Sequence, residues 1–147
     1  MYYQQPKSLA SYGRIANTEA DPIKQIVMLY DGSIKFLNLT AADIESGDLV
    51  AKAEHSSRAL EIIAYLQTIL DFDKGGAVAV SLDRLYRSIT MMVLRASAGL
   101  DPVMMRRAVA LLTPVRDAWQ VNASLTQNAL PLDAPHTGNH AALAMVG

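Results

Sequence analysis

The feature that most constrains this chain is the apolar rhythm that follows Asp21-Pro22. Ile23, Val27, Tyr30, Ile34, Leu37, Ala41 and Ile44 recur at alternating steps of four and three. That spacing predicts a helix with a seam turned toward neighbouring helices, and it excludes a strand, whose side chains alternate with period two. Asp21 can accept the orphan N–H groups of the first turn, and Pro22 sacrifices nothing there because those groups have no helical acceptor. Gly47 can take the left-handed conformation that closes a helix. A second apolar set, Ile26, Leu29 and Phe36, flanks the seam, so the apolar face is broad.

Three more segments follow the same rule. From Asp48 to about Leu70 the seam reads Leu49, Ala53, Ser56, Leu60, Ile63, Gln67, Leu70, widened by Ala59, Ile62, Leu66 and Ile69. Asp71 to Gly76 reads as a turn by composition. A third helix is expected from about Ala77 to Ala98, with the seam Val78, Leu82, Leu85, Ile89, Met92, Ala96, and Gly99 ends it. Asp101-Pro102 repeats the opening device of the first helix. Met104, Ala108, Leu111, Val115 and Ala118 form the fourth seam, with Leu112 and Trp119 beside it. Pro114 lies inside that pattern and predicts a kink near Leu111–Thr113, because an interior proline removes one backbone bond and clashes with the carbonyl four residues back.

Short connections between helices of similar length place successive helices antiparallel. The expected fold is therefore all-α: an antiparallel up-down-up-down four-helix bundle over residues 21–124. Residues 1–20, with Pro6, Gly13 and three tyrosines, read as an N-terminal arm. Residues 125–147 read as a loosely ordered tail, with a marginal helical turn at Ala141–Val146.

Composition narrows the function. The absence of cysteine excludes a thiol nucleophile, a disulfide framework and a zinc–cysteine site. A formal net charge of −1 gives no basic face for nucleic acid. The N-terminus lacks the basic-then-apolar pattern of a signal peptide, and no apolar run is long enough to span a bilayer, so a cytosolic protein is expected. Hydrophobic residues make up 51% and charged residues 18%, with a mean hydropathy of +0.15. A small domain short of charge either packs an unusually complete core or leaves apolar surface that marks a partner site.

Catalytic and metal chemistry find little support. Glu54 and His55 are adjacent and diverge around the helix, which fits a partly exposed bundle residue better than a Glu-x-x-His ligand pair. His136 and His140 fall in the Pro/Gly-rich tail. Lys74-Gly75-Gly76 lacks the remainder of a phosphate-loop pattern and fits a helix–helix turn. Arg84, Arg87 and Arg95 fit a solvated face. Met91, Met92, Met104 and Met105 occur in adjacent pairs, and adjacent residues on a helix cannot both face one seam, so core filling and an adaptable binding surface both stay open. Gly32, in mid-helix, predicts a close approach by a neighbour. No catalytic residue, metal site or cofactor is expected.

Taken together, several motifs resemble the flagellar secretion chaperone family FliS. Met28-Leu29-Tyr30-Asp31-Gly32 with Ile34-Lys35-Phe36-Leu37 is similar to its first-helix signature. Leu70-Asp71 with Lys74-Gly75-Gly76 resembles its second turn, Leu82 with Leu85-Tyr86 its third helix, and Leu111-Leu112 with Arg116-Asp117-Ala118-Trp119 its fourth. Tyr12 and Ile15, before Thr18, resemble its N-terminal arm. The resemblance implies a cytoplasmic export chaperone that binds the C-terminal segment of flagellin along apolar grooves on the outside of the bundle. It would prevent premature polymerisation and deliver flagellin to the type III export apparatus, where the membrane protein FlhA receives the complex. Leu29, Phe36, Ile62, Leu66, Ile69, Leu85, Leu112 and Trp119 are the expected groove residues, and Tyr12 and Ile15 the expected cap over it. Two other classes remain at this point: a cofactor or catalytic bundle, which needs convergent polar groups in a pocket, and a purely self-associating bundle.

Overall fold

The computed structural model describes residues 21–129, with side chains described as far as Asn122. Expectations for the arm, including Tyr12 and Ile15, and for residues 130–147 lie outside the described residues. Four helices fill the rest: α1 (Pro22–Ser46), α2 (Leu49–Thr68), α3 (Phe72–Ala98) and α4 (Pro102–Ala129). The last continues past the expected limit of the bundle at residue 124.

Capping follows the sequence closely. Asp21 Oδ1 accepts from the backbone N–H groups of Ile23 (3.0 Å) and Lys24 (3.3 Å). Asp48 caps α2 through Ala51, and Asp101 caps α4 through Met104. Each of these carboxylates satisfies donors that a helix start leaves without partners. Gly47 closes α1 in the left-handed conformation.

The segment expected to be a plain turn, Asp71–Gly76, is more ordered than composition suggests. Asp71 Oδ1 accepts from Lys74 N–H and opens one helical turn before the main body of α3. The break falls at Gly76, whose φ of 53° and ψ of −129° only glycine adopts without strain. At the α3–α4 connection the left-handed residue is Leu100 (φ 53°) rather than Gly99. Space is tight at Gly99, where a Cβ would meet the Arg95 carbonyl oxygen at 3.2 Å.

Cross-links show the antiparallel order. Glu45 near the end of α1 pairs with Arg106 near the start of α4, while Asp31 pairs with Arg116 further along. Lys52 at the start of α2 reaches the Ser97 carbonyl at the end of α3, and Gln67 meets Asp83. The close-packed helix is α1, which packs most extensively against both α2 and α4. Its buried face carries Gly32, Ser33, Thr40 and Ala41, small enough for helix backbones to draw near. The Ser33 and Thr40 hydroxyls donate to the carbonyls of Tyr30 and Phe36, so their burial leaves no donor unsatisfied.

The phase of the core departs from expectation in three helices. In α1 the predicted seam holds: Ile23, Val27, Tyr30, Leu37 and Ala41 are buried. In α3 the buried series is Ala79, Leu82, Tyr86, Ile89, Val93, Ala96, so Val78, Leu85 and Met92 fall on its flank. In α4 the buried residues are Met105, Ala108, Leu112 and Trp119, and Leu111 and Ala118 turn outward. In α2, Leu49 and Ala53 are exposed, and Ser56, Ala59, Ile62, Ile63 and Leu66 are buried. The cause is common to all three. Helices rich in apolar residues carry two overlapping stripes with three-four spacing, and only the neighbours decide which one is covered. Pro114 sits within α4, which continues through it as one helix. Pro114 and Ala110 are both exposed, so the backbone bond that the proline forgoes lies on the outer side of the helix.

Candidate functional site

The residues that carried the resemblance divide into a cross-bundle lock and a turn. Tyr30 on α1 and Tyr86 on α3 are buried, and their phenol oxygens share a hydrogen bond of 2.6 Å. Burial pushes the Tyr30 phenol up to about 12, although hydrogen bonds with Tyr86 and Trp119 pull it down. Tyr86 is raised further, by burial first and then by its neighbour Tyr30. Both therefore stay neutral and act as a hydrogen-bonded pair joining α1 and α3, with Trp119 of α4 beside them. One residue along, Asp31 accepts from Arg116 through both oxygens (2.7 and 3.4 Å), and Arg116 also reaches Asp117 at 3.3 Å. Asp31 thus pairs across the bundle, from α1 to α4. Gly32 is buried next to this layer. Gly75 and Gly76 are separate from it, at the head of α3, where Gly76 makes the helix break. Such a layer sets the register and relative rotation of three helices, and contains no nucleophile beside a base.

The eight expected groove residues split by burial. Leu29, Ile62, Leu66, Leu112 and Trp119 are buried in the core cluster, whereas Phe36, Ile69 and Leu85 are partly buried and pack against it. The breadth of the apolar faces explains the division: residues one position away from a seam are still covered when the helix has neighbours on two sides. Phe36 lies at the α1–α2 seam with its ring stacked on His55 at 6.0 Å, and Lys35 and Arg58 approach it at 5.9 and 6.0 Å. His55 Nδ1 in turn meets Asp43 at 2.6 Å. His55 is thus a partly exposed bundle residue held by a carboxylate and a ring. Among the described residues no group of three or more His, Cys, Asp or Glu side chains is placed to hold a metal ion. No described helix is long and apolar enough to cross a membrane.

Several apolar side chains are more open than the expected groove residues. Tyr65, Phe72, Val78, Met91, Leu94 and Leu111 are all exposed. Of the paired methionines only Met105 is fully buried; Met92 and Met104 are partly buried, and Met91 is exposed. Sequence reasoning placed Val78 and Leu111 in the core. A usable signal was the seven-residue repeat Val78–Leu85–Met92 facing Met104–Leu111–Ala118, a second stripe on each helix beside the one that contains the aromatic residues.

The model of a family described as flagellar protein FliS matches residues 5–126. The flagellar secretion chaperone FliS of Salmonella typhimurium is 35% identical over 102 residues, covering 69% of this chain and 76% of that protein. The protein of the same description from Vibrio cholerae is 29% identical over 116 residues, covering 76% and 85%. That of Bacillus subtilis is 28% identical over 110 residues, covering 75% and 81%.

Proposed function

The chain belongs to the FliS family of flagellar proteins, and on that premise we propose that it is a flagellar secretion chaperone that holds the C-terminal segment of flagellin before export. The observation that carries the reading is the family match across residues 5–126, which includes every described helix for most of its length. Apolar side chains left open on a small charge-poor bundle support it, because a chaperone for an apolar helix must expose what its client will cover. Holding the segment on the bundle removes it from polymerisation. The complex then travels in the cytoplasm to the type III export apparatus and its receptor FlhA. No catalytic role is assigned.

The groove residues enter this reading in two groups. Phe36 and Ile69 offer partly exposed contact surface on α1 and at the end of α2, whereas Leu85 lies apart from them on the flank of α3. Leu29, Ile62, Leu66, Leu112 and Trp119 are buried in the core and would act by supporting the helices that present the contact surface. The client orders on binding, so only part of the gain from apolar burial, about 25 cal/mol per Å², is retained as affinity. Calorimetric titration of a flagellin C-terminal peptide into the full chain tests the proposal. The variant carrying Phe36→Glu and Ile69→Glu should bind at least about tenfold more weakly, a loss of about 1.4 kcal/mol. Equal affinity in a variant that keeps its helical circular dichroism removes the groove assignment, and no binding by the parent chain removes the function.

A further inference from the structure

The flank shared by α3 and α4 differs from every other seam of the bundle. Polar side-chain contacts join α1 to α2, α2 to α3, and α1 to α4. Among the described residues no side-chain hydrogen bond or ion pair joins α3 to α4; in extent of packing this seam equals that of α2 on α3, and both are sparser than the packing of α1 on α2 and α4. What lines the seam is apolar. Val78, Leu85 and Met92 repeat every seven residues along the side of α3 opposite to Asp83 and Ser97, which face α2. Met104, Leu111 and Ala118 repeat likewise along the side of α4 opposite to Arg106 and Arg116, which face α1. Val78 is 44% exposed and Leu111 45%, so the stripe opens to solvent.

Its borders carry one sign of charge. Arg84 and Arg95 lie on the solvent side of the α3 stripe, and Arg107 lies between Met104 and Leu111 on the solvent side of the α4 stripe. All three are exposed, and none forms an ion pair among the described residues, unlike Arg87, Arg106 and Arg116. From Ala77 to Asn122 the carboxylates are Asp83, Asp101 and Asp117. Each is engaged elsewhere: Asp83 with Gln67 and Arg87, Asp101 in capping α4, Asp117 with Arg116. An apolar floor between unneutralised guanidinium groups complements a helix whose apolar face is bordered by carboxylates.

We propose that the α3–α4 groove is a docking site for an amphipathic helix with acidic flanks, supplied by a partner protein and separate from the contact surface at Phe36 and Ile69. The stripe from Val78 to Met92 is about 21 Å long at 1.5 Å per residue, so it accommodates about four turns of such a helix. Leucine-type side chains insert between the two stripes, and glutamates at the edges meet Arg84 and Arg95 on one side and Arg107 on the other. The inference does not depend on the flagellin reading, because its probe contains no flagellin sequence.

The probe is a fluorescein-labelled helical peptide of about 18 residues, with leucines at three-four spacing and glutamates on both flanks. Its counterpart has lysine in place of every glutamate. Anisotropy titrations with the full chain should show the glutamate peptide binding at least about tenfold more tightly, with the gap narrowing in high salt. The triple variant Arg84→Glu, Arg95→Glu, Arg107→Glu changes only exposed side chains and should reverse the preference. Val78→Asp and Leu111→Asp, made separately, should each weaken both peptides in protein that retains its helical circular dichroism. Equal binding of the two peptides, or a preference unchanged by the charge reversal, overturns the proposal. Displacement of the glutamate peptide by the flagellin C-terminal segment overturns it as a separate site. Sedimentation showing a dimer that Leu111→Asp dissolves overturns the assigned occupant in favour of a second copy.

Discussion

Tyr30 and Tyr86 show how a polar contact can stabilise an apolar bundle. Each phenol would be costly to bury alone, and each is the other's partner. Tyr30→Phe should destabilise the fold by about 1–2 kcal/mol, since it strands the Tyr86 hydroxyl. The double variant Tyr30→Phe, Tyr86→Phe should cost less than the sum of the single changes, and a urea-melt double-mutant cycle measures the difference. The same pair predicts alkaline sensitivity. Burial raises the folded-state value of Tyr30 from 10.0 to about 12, so the unfolded chain loses that proton first. The stabilisation is fully present below pH 10 and is lost as pH rises toward 12. Urea midpoints across that window should fall for the parent and stay flatter for the double Phe variant. Asp31–Arg116 is more open, and its removal should change stability by no more than about 1 kcal/mol. The sequence identified all of these residues as a pattern, but no spacing rule pairs positions fifty or eighty residues apart. Tyr30–Tyr86 and Asp31–Arg116 became contacts only when the helices were assembled.

At the scale of the helix, what could be read and what could not separate cleanly. Starts were legible because capping is local: Asp21, Asp48 and Asp101 each act on backbone groups two or three residues away. The rotation of α3 and α4 was not. Val78–Leu85–Met92 and Ala79–Tyr86–Val93 are adjacent stripes of similar hydrophobicity on one helix, and periodicity alone does not rank them. The Tyr86 contact with Tyr30 belongs to the second stripe, and it leaves the first one beside solvent. Pro114 provides an element-scale prediction. It lies on the exposed face of α4, where the helix tolerates it but loses one backbone bond. Pro114→Ala should raise stability by about 1–3 kcal/mol, read as a higher urea midpoint at unchanged m-value.

For the whole molecule the governing fact is an imbalance between apolar surface and covered surface. With 51% hydrophobic residues and 18% charged, the bundle buries one continuous core and still exposes Tyr65, Phe72, Met91 and Leu94. Under the proposed function, that excess is the surface an apolar client helix would cover. If the arm covers part of this surface in the free protein, as the family resemblance implies, deletion of residues 1–18 should increase the fluorescence of a hydrophobic dye. Unchanged dye binding by the truncated, folded chain removes the cap at Tyr12 and Ile15. The α3–α4 groove places a second contact area on another side of the bundle, bordered by arginines that no described carboxylate neutralises.

By itself the sequence determined the helical class, the antiparallel four-helix order and the helix starts, because periodicity, capping and connection length act over a few residues. It also carried the family likeness, which depends on residue types in order along the chain. Tertiary structure alone decided which apolar stripe of α2, α3 and α4 became core, and so which residues remain available to a partner. Leu29, Ile62, Leu66, Leu112 and Trp119 are buried, while Val78 and Leu111 are open. The physical reason is that burial belongs to a pair of surfaces: a side chain is buried only when a neighbouring helix covers it, and one helix's pattern does not specify how its neighbour is rotated.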